Sequence, residues 1–435
     1  MHTLQFLLVT LALPSLFFAH TIPRGDGHSH EEPIRRALPS AWYQRDDHPT
    51  HALFKRQQSA NTTAFTYPQV GSATWSAAYP QSTPDTTQLP QVWVNALNAA
   101  VAAGKIPDIP QSTLVNGNPT YPTGFDPNNA TVCSGTFQCR IPGDVWDAPA
   151  GYIGTGFDDG PLSYSPRLYT YLTQNNIPAT HFMIGVNILQ NAAAFQQAVA
   201  AGGDIAVHTW THPYMTTLSN LDVLAQIGWT MEIIHNSTGG KLPAFWRPPY
   251  GDSDTRTRAI AYEVFGLTTI VWNQDTNDWN LGLDGVTAQS IQAEMTTWLT
   301  GPKSPGLIIL EHELSDGAID AFEAAYPLMI SNGWNLISAA RIVNGNGWTN
   351  GTDNGGEIPS YGSSTTSTAT SITSTIVPPT VSSVPTTTRS GENGAGSATA
   401  SQKSGALPKF PGWTLYSGLS LSAFLGLFSA GAVLF

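Results

Sequence analysis

Between residues 151 and 345, short apolar runs alternate with longer helix-like stretches, and this alternation restricts the fold more than any other property of the chain. The runs are 152–157, 179–184, 204–207, 244–246, 267–272, 307–310 and 334–337; between them lie 165–176, 192–201, 221–236, 254–265, 287–299 and 318–332. Strand alternating with helix means βα units on a parallel sheet. Polar residues gather just past the runs: Asp158 and Asp159 after the first, His208 after the third, Arg247 after the fourth, Asp275 and Asp278 after the fifth, His312 after the sixth. Reactive side chains at the C-terminal ends of parallel strands mark a barrel whose site lies on that face. The expectation is an α/β fold, a distorted (β/α) barrel of about seven parallel strands. An open doubly wound sheet would not bring loops from five strands to one point so readily.

The residue types at those ends suit hydrolysis at a metal. In Thr155-Gly156-Phe157-Asp158-Asp159-Gly160-Pro161 two carboxylates are adjacent, so one can hold an ion while its neighbour handles a proton. His208 and His212 are four apart, which puts them on one face of a helical turn, where they can grip one ion together. With Asp159 they make a three-ligand set that leaves positions open. Each feature alone is bland: an Asp-Asp-Gly-Pro turn, an accidental pair of surface histidines, a partly buried histidine after a strand. Their occurrence at successive strand ends is what argues for a site. No HExxH segment is present, which counts against a zinc peptidase.

Taken together, five segments resemble the polysaccharide deacetylase family, carbohydrate esterase family 4, or NodB-homology domain. Thr155–Pro161 resembles TFDDGP with Gly156 inserted, and His208–His212 resembles HTxxH. Arg247–Gly251 resembles RPPYG, Asp275–Trp279 resembles DxxDW, and Ile308–His312 resembles LxxxH. The likeness spans about 190 residues, and the flanks point within the family to the fungal chitin deacetylases of the cell wall.

The resemblance implies a role for each residue. Asp159, His208 and His212 would hold a divalent ion, Zn²⁺ or another transition metal such as Co²⁺. Asp158 would be the general base, held and tuned by Arg247, and the backbone N–H of Tyr250 would help to hold the oxyanion. His312 would protonate the leaving nitrogen, paired with Asp278 ahead of Asp275, while Leu310 and Trp279 would shape the acetyl pocket. The implied reaction is removal of acetyl groups from N-acetylglucosamine units of chitin, giving chitosan and acetate. The alternatives are another acetylated polysaccharide, peptidoglycan or xylan, and a non-catalytic glycan-binding wall protein.

Composition and flanks fit that picture. Only 11% of residues are charged and the formal net charge is -12, which argues against nucleic acid or anionic polymers as partners. Residues 1–19 read as a secretory signal and 20–56, ending at Lys55-Arg56, as a pro-segment. Residues 57–150 form an N-terminal extension, and 151–345 are the deacetylase domain. The Ser/Thr-rich stretch 346–405 reads as a disordered stalk. Residues 406–435 read as the apolar signal for a GPI anchor, making the expected product a secreted, membrane-tethered wall protein. In such a compartment Cys133 and Cys139 are expected to close a small loop. Sequons stand at Asn61, Asn129, Asn236 and Asn350. Trp210 and Trp246 are open to either reading, sugar groove or core.

Overall fold

A long lead-in precedes the alternating region. The computed structural model describes residues 41–54 and 67–342. The expected signal, the dibasic pair Lys55-Arg56, Asn61, Asn350, the stalk and the apolar tail lie outside the described residues. The lead-in holds α1 (His51–Phe54), α2 (Ala73–Ser76), α3 (Gln91–Ala102) and a hairpin of β1 (Thr113–Val115) and β2 (Asn118–Thr120). Then come β3 (Tyr152–Asp158), α4 (Ser165–Gln174), β4 (Thr180–Met183), α5 (Gly185–Gln190), α6 (Ala192–Ala200), β5 (Asp204–Val207) and α7 (Asn220–Ser237). They are followed by β6 (Phe245–Trp246), α8 (Thr255–Phe265), β7 (Thr268–Thr269), β8 (Gln274–Asp275), α9 (Ala288–Thr300), β9 (Leu307–Leu310), α10 (Asp316–Ser331) and β10 (Asn335–Ser338).

Strands β3 to β10 pair in parallel in the order β7-β6-β5-β4-β3-β9-β8, with β10 also on β3. The two ends of that order, β7 and β8, are neighbours in the chain. From Thr269 to Gln274 the backbone spans at most about 18 Å, so the sheet curls until its ends approach one another. This is the distorted barrel expected, with eight strands among the described residues rather than seven.

The additional strand, β8, lies just beyond the run 267–272, only part of which is strand. Thr268–Thr269 pairs with β6, and the chain then turns away before Gln274–Asp275 pairs with β9. The carbonyls of Ile270 and Val271 accept from the Arg247 guanidinium, each at 3.2 Å, so a buried side chain stands in for a ladder partner. Val145 of the lead-in inserts here as well: its N–H donates to Thr269 at 2.9 Å and its carbonyl accepts from Val271 at 2.8 Å.

Strands covered on both faces read as continuous apolar runs, and β4, β5 and β9 are buried throughout. Three of the longer helices begin at side-chain caps. Ser219 caps α7, Ser315 caps α10, and Asp254 with Thr257 forms a capping box on α8, which Gly266 ends at φ 66°.

The lead-in is welded to the barrel. Trp42 and Phe54 are buried in the main core, and the Gln44 side-chain amide donates to the carbonyls of Pro243, Phe265 and Gly266. Cys133 and Cys139 form the expected disulfide. Arg258 of α8 donates to both cysteine carbonyls and pairs with Asp144 at 3.0 Å. Trp210 and Trp246 are both fully buried, with their indole N–H groups donated to Ser82 O and Thr269 Oγ1, so they belong to the core and not to a groove. No helix among the described residues is long and apolar enough to cross a membrane.

Candidate metal centre and active site

The first strand delivers two carboxylates in different orientations. Strand β3 pairs regularly with β4 through Gly156↔Thr180, Phe157↔His181 and Asp158↔Phe182. An insertion would force a bulge or reverse the faces of every later residue. Gly156 therefore occupies a regular strand position, which corrects its reading as an inserted residue. Glycine suits the position because a Cβ there would lie 3.0 Å from the Phe182 ring, and that ring lies 3.9 Å from the Arg247 guanidinium. Asp158 ends the strand, buried, and Asp159 turns away in a left-handed conformation at φ 71°.

The two histidines do not share a helical turn. They sit in a loop after β5 in which Thr209 (φ 66°) and His212 (φ 59°) are both left-handed. The loop holds this shape because its amides are satisfied elsewhere. Gln226 Oε1 accepts from the N–H of Trp210 and of Thr211, and Thr209 Oγ1 accepts from the N–H of His212. The two rings end 4.9 Å apart.

Their Nε2 atoms converge on Asp159. Oδ1 of Asp159 lies 3.3 Å from His208 Nε2 and 3.2 Å from His212 Nε2, and one donor atom from each of the three residues falls within 4.8 Å of the others. Oδ1 is buried with no hydrogen-bond partner of its own. His208 Nδ1 is 2.7 Å from the Arg247 carbonyl, which fixes the proton on Nδ1 and leaves the Nε2 lone pair facing Asp159. Burial opposes the charge on Asp159, but His212 and His208 hold its carboxyl well below the usual range. Two imidazoles with free Nε2 atoms and an orphaned carboxylate oxygen form a donor set that fits a divalent transition metal with positions left open.

Two buried charged pairs flank this set. Arg247, fully buried, donates to Asp158 Oδ1 at 2.6 Å, so the other oxygen, Oδ2, faces His208 Nε2 at 3.7 Å. On the next strand end, Asp278 takes both N–H groups of His312: the ring Nδ1 at 2.5 Å and the backbone N at 2.8 Å. Asp275 instead accepts from the N–H of Asn277 at 2.9 Å, and burial raises its carboxyl to about 6. Burial opposes the charge on His312, yet Asp278, then Asp159 and Asp158, raise the ring to about 10. The two pairs are linked through the backbone: Asp158 N–H donates to Glu311 O at 3.0 Å and Glu313 N–H to Asp158 O at 3.1 Å, on either side of His312.

Three features were not legible as functional. Glu311 and Glu313 are both buried. Glu313 pairs with His181 of β4 at 3.1 Å and packs against Gly160, where a Cβ would meet its carboxylate at 2.1 Å. Tyr214 stacks face to face on Tyr250 at 4.0 Å, and Tyr250 meets His212 edge-on at 4.5 Å. An aromatic two residues past His212, a candidate ligand, was the available signal for Tyr214. Tyr250 itself holds a left-handed φ of 59° between Pro249 and Gly251, strain of a kind that collects at functional sites. Leu310 is buried and Trp279 is 37% exposed.

Of the two described sequons, Asn129 is exposed. Asn236 is not: it is buried on α7 with its amide donated to Tyr79 Oη and Glu232 Oε1, so the folded chain has no room for a glycan there, contrary to the sequence expectation.

The sequence pattern described as Polysaccharide deacetylase matches residues 147–269. Chitin deacetylase 3 of Cryptococcus neoformans var. neoformans is 41% identical over 310 residues, covering 70% of this chain and 72% of that protein. The chain belongs to the polysaccharide deacetylase family. Other relatives include the chitin deacetylase of Amylomyces rouxii, 35% identical over 253 residues, 55% of this chain and 59% of that one. A solved family 4 carbohydrate esterase from Streptomyces lividans is 31% identical with a TM-score of 0.38, covering 44% of this chain and 93% of its own. The deacetylases of this family are metal-dependent hydrolases, and Asp159, His208 and His212 are the residues here that would hold the ion.

Proposed function

We propose that this chain removes acetyl groups from N-acetylglucosamine residues of chitin, giving chitosan and acetate, and that its metal is Zn²⁺. The observation that carries the reading is the grouping, at one end of the sheet, of a three-donor set with Asp158 Oδ2 3.7 Å from His208 Nε2 and with a carboxylate-held histidine on the adjoining strand end. Relatives named for chitin deacetylation, matched over most of the chain, support the substrate.

When bound, the ion supplies Lewis-acid polarisation of the acetyl carbonyl and of water. The rest falls to side chains. Asp158 takes a proton from the attacking water through Oδ2, because Arg247 occupies Oδ1 and keeps the carboxylate turned toward the site. Water oxygen bonds to the acetyl carbon, and the carbon–nitrogen bond then breaks. An amine anion is a very poor leaving group, so the nitrogen must gain a proton as it departs. With Nδ1 bound to Asp278, His312 offers that proton from Nε2. Tyr250 N–H is the proposed oxyanion donor, and Leu310 and Trp279 the walls around the methyl group.

The same reading extends to location: a secreted protein tethered at the cell wall by a GPI anchor. It rests on the signal-like segment 1–19, the Ser/Thr-rich stretch and the apolar segment 406–435.

The test is acetate release from chitin hexamer, acetylxylan and peptidoglycan side by side, with and without a chelator. Release from chitin hexamer should stop on chelation and return when Zn²⁺ is restored. Release from another polymer alone would replace the substrate, and release indifferent to chelation would remove the metal.

A further inference from the structure

The segment 247–252, which carries Tyr250, is pinned at both ends to the loop of the two candidate histidine ligands. At the near end the Arg247 carbonyl holds His208 Nδ1. At the far end Asp252, fully buried, turns its carboxylate back onto Thr216, four residues past His212. Oδ2 accepts from Thr216 N–H at 2.8 Å, and the Thr216 hydroxyl lies 2.9 Å from each carboxylate oxygen. Thr216 is itself held. Its carbonyl accepts from Ser112 N–H at 3.0 Å and from Arg256 at 3.1 Å, and Ser112 Oγ is 2.6 Å from its hydroxyl.

Between the pins the backbone turns tightly. Gly251 N–H donates to Pro248 O at 3.1 Å and Asp252 N–H to Pro249 O at 2.8 Å, around Tyr250 at φ 59°. The disulfide loop of the lead-in stands behind. Thr136 Oγ1 donates to Asp252 Oδ1 at 3.0 Å, and Gly135 N–H to Ser253 O at 2.7 Å. Burial raises the Asp252 carboxyl to about 6 against the pull of Thr216; above that pH it is an ion that only accepts hydrogen bonds. The reaction proposed above makes no use of this carboxylate.

Resting on the deacetylase reading above, with Tyr250 N–H as its oxyanion donor, we infer that Asp252 is a positioning residue. Through Thr216 it locks the Tyr250 backbone to the loop of His208 and His212, so that this donor and the three-residue set keep one fixed separation. The Tyr214–Tyr250 stack lies across the same junction. A tyrosine in a left-handed conformation persists only where its surroundings hold it, and Asp252 supplies that hold two residues away.

Steady-state kinetics of acetate release from chitin hexamer, with acetylxylan in parallel, test this on Thr216→Val, Thr216→Ser and Asp252→Asn. Removing an oxyanion donor outright costs about 10²–10³-fold in kcat, so a displaced one should cost about tenfold. Thr216→Val and Asp252→Asn should each show that loss in kcat, with KM and bound zinc per chain within about twofold of wild type. Thr216→Ser, which keeps the hydroxyl, should recover most of the rate. Unchanged kcat in Thr216→Val, a loss confined to KM, loss of the zinc, or Thr216→Ser as slow as Thr216→Val would overturn the inference. Wild-type protein active on acetylxylan alone would instead overturn the chitin reading, and the same variant ratios on that polymer would still decide the role of Asp252.

Discussion

Replacing Asp278 by Asn probes the acid half of the site with the least disturbance of shape. Asp278 lies 2.5 Å from His312 Nδ1. Burial works against the imidazolium, and Asp278 leads the carboxylates that lift it from 6.5 to about 10. That rise is roughly 3.5 pH units, or about 5 kcal/mol. If roughly half belongs to Asp278, the variant's ring falls by about 2 pH units, and the protonated form loses about 3 kcal/mol. A general acid works only while protonated, so the alkaline limb of acetate release should move about 2 units toward neutrality; kcat should drop about twofold at pH 8 and about 50-fold at pH 10. Stability follows with a definite sign. A pKa raised in the folded state adds stability that is complete below the unfolded value near 6.5 and is lost as pH rises through about 10. The variant should therefore unfold at lower urea than wild type at pH 6, and the gap should narrow toward pH 10. The assays are a pH–rate profile and urea titrations at several pH values. An alkaline limb that stays in place in Asp278→Asn would refute the assignment of His312 as the acid.

Asp158→Asn should reduce acetate release by at least about 10³-fold while leaving chitin binding within about twofold, measured by kinetics and pull-down; unchanged turnover would remove Asp158 as the base. Arg247→Met strands a buried carboxylate and should cost about 3–5 kcal/mol in urea titrations, part of which Asp158→Asn restores in the double variant. Secreted from a eukaryotic host, the protein should lose glycan mass on Asn129→Gln but not on Asn236→Gln by intact-mass spectrometry; the opposite result would mean that α7 does not bury Asn236.

Much of the layout was legible because it rests on local chemistry. Polar residues at run ends located Asp158, Arg247, Asp278 and His312 on one face, since parallel strands all point their ends the same way. The loop shapes were not legible. The i, i+4 spacing of His208 and His212 suggested a helical turn, but two left-handed residues and a distant Gln226 side chain hold a loop instead. Nor could the run 267–272 reveal that Arg247 would capture its carbonyls. Glu313 with His181 joins residues 132 apart, a pairing that only the folded register creates.

The segment 41–54 bears on how the protein can be trimmed. Trp42 and Phe54 fill the interior, and Gln44 closes three carbonyls on the far side of the chain. Proteolysis after Arg56 would thus nick the molecule without shedding this piece, which would persist as a non-covalent companion. A recombinant product started at Gln57 would be missing internal parts, and poor yield from it would say nothing about the catalyst.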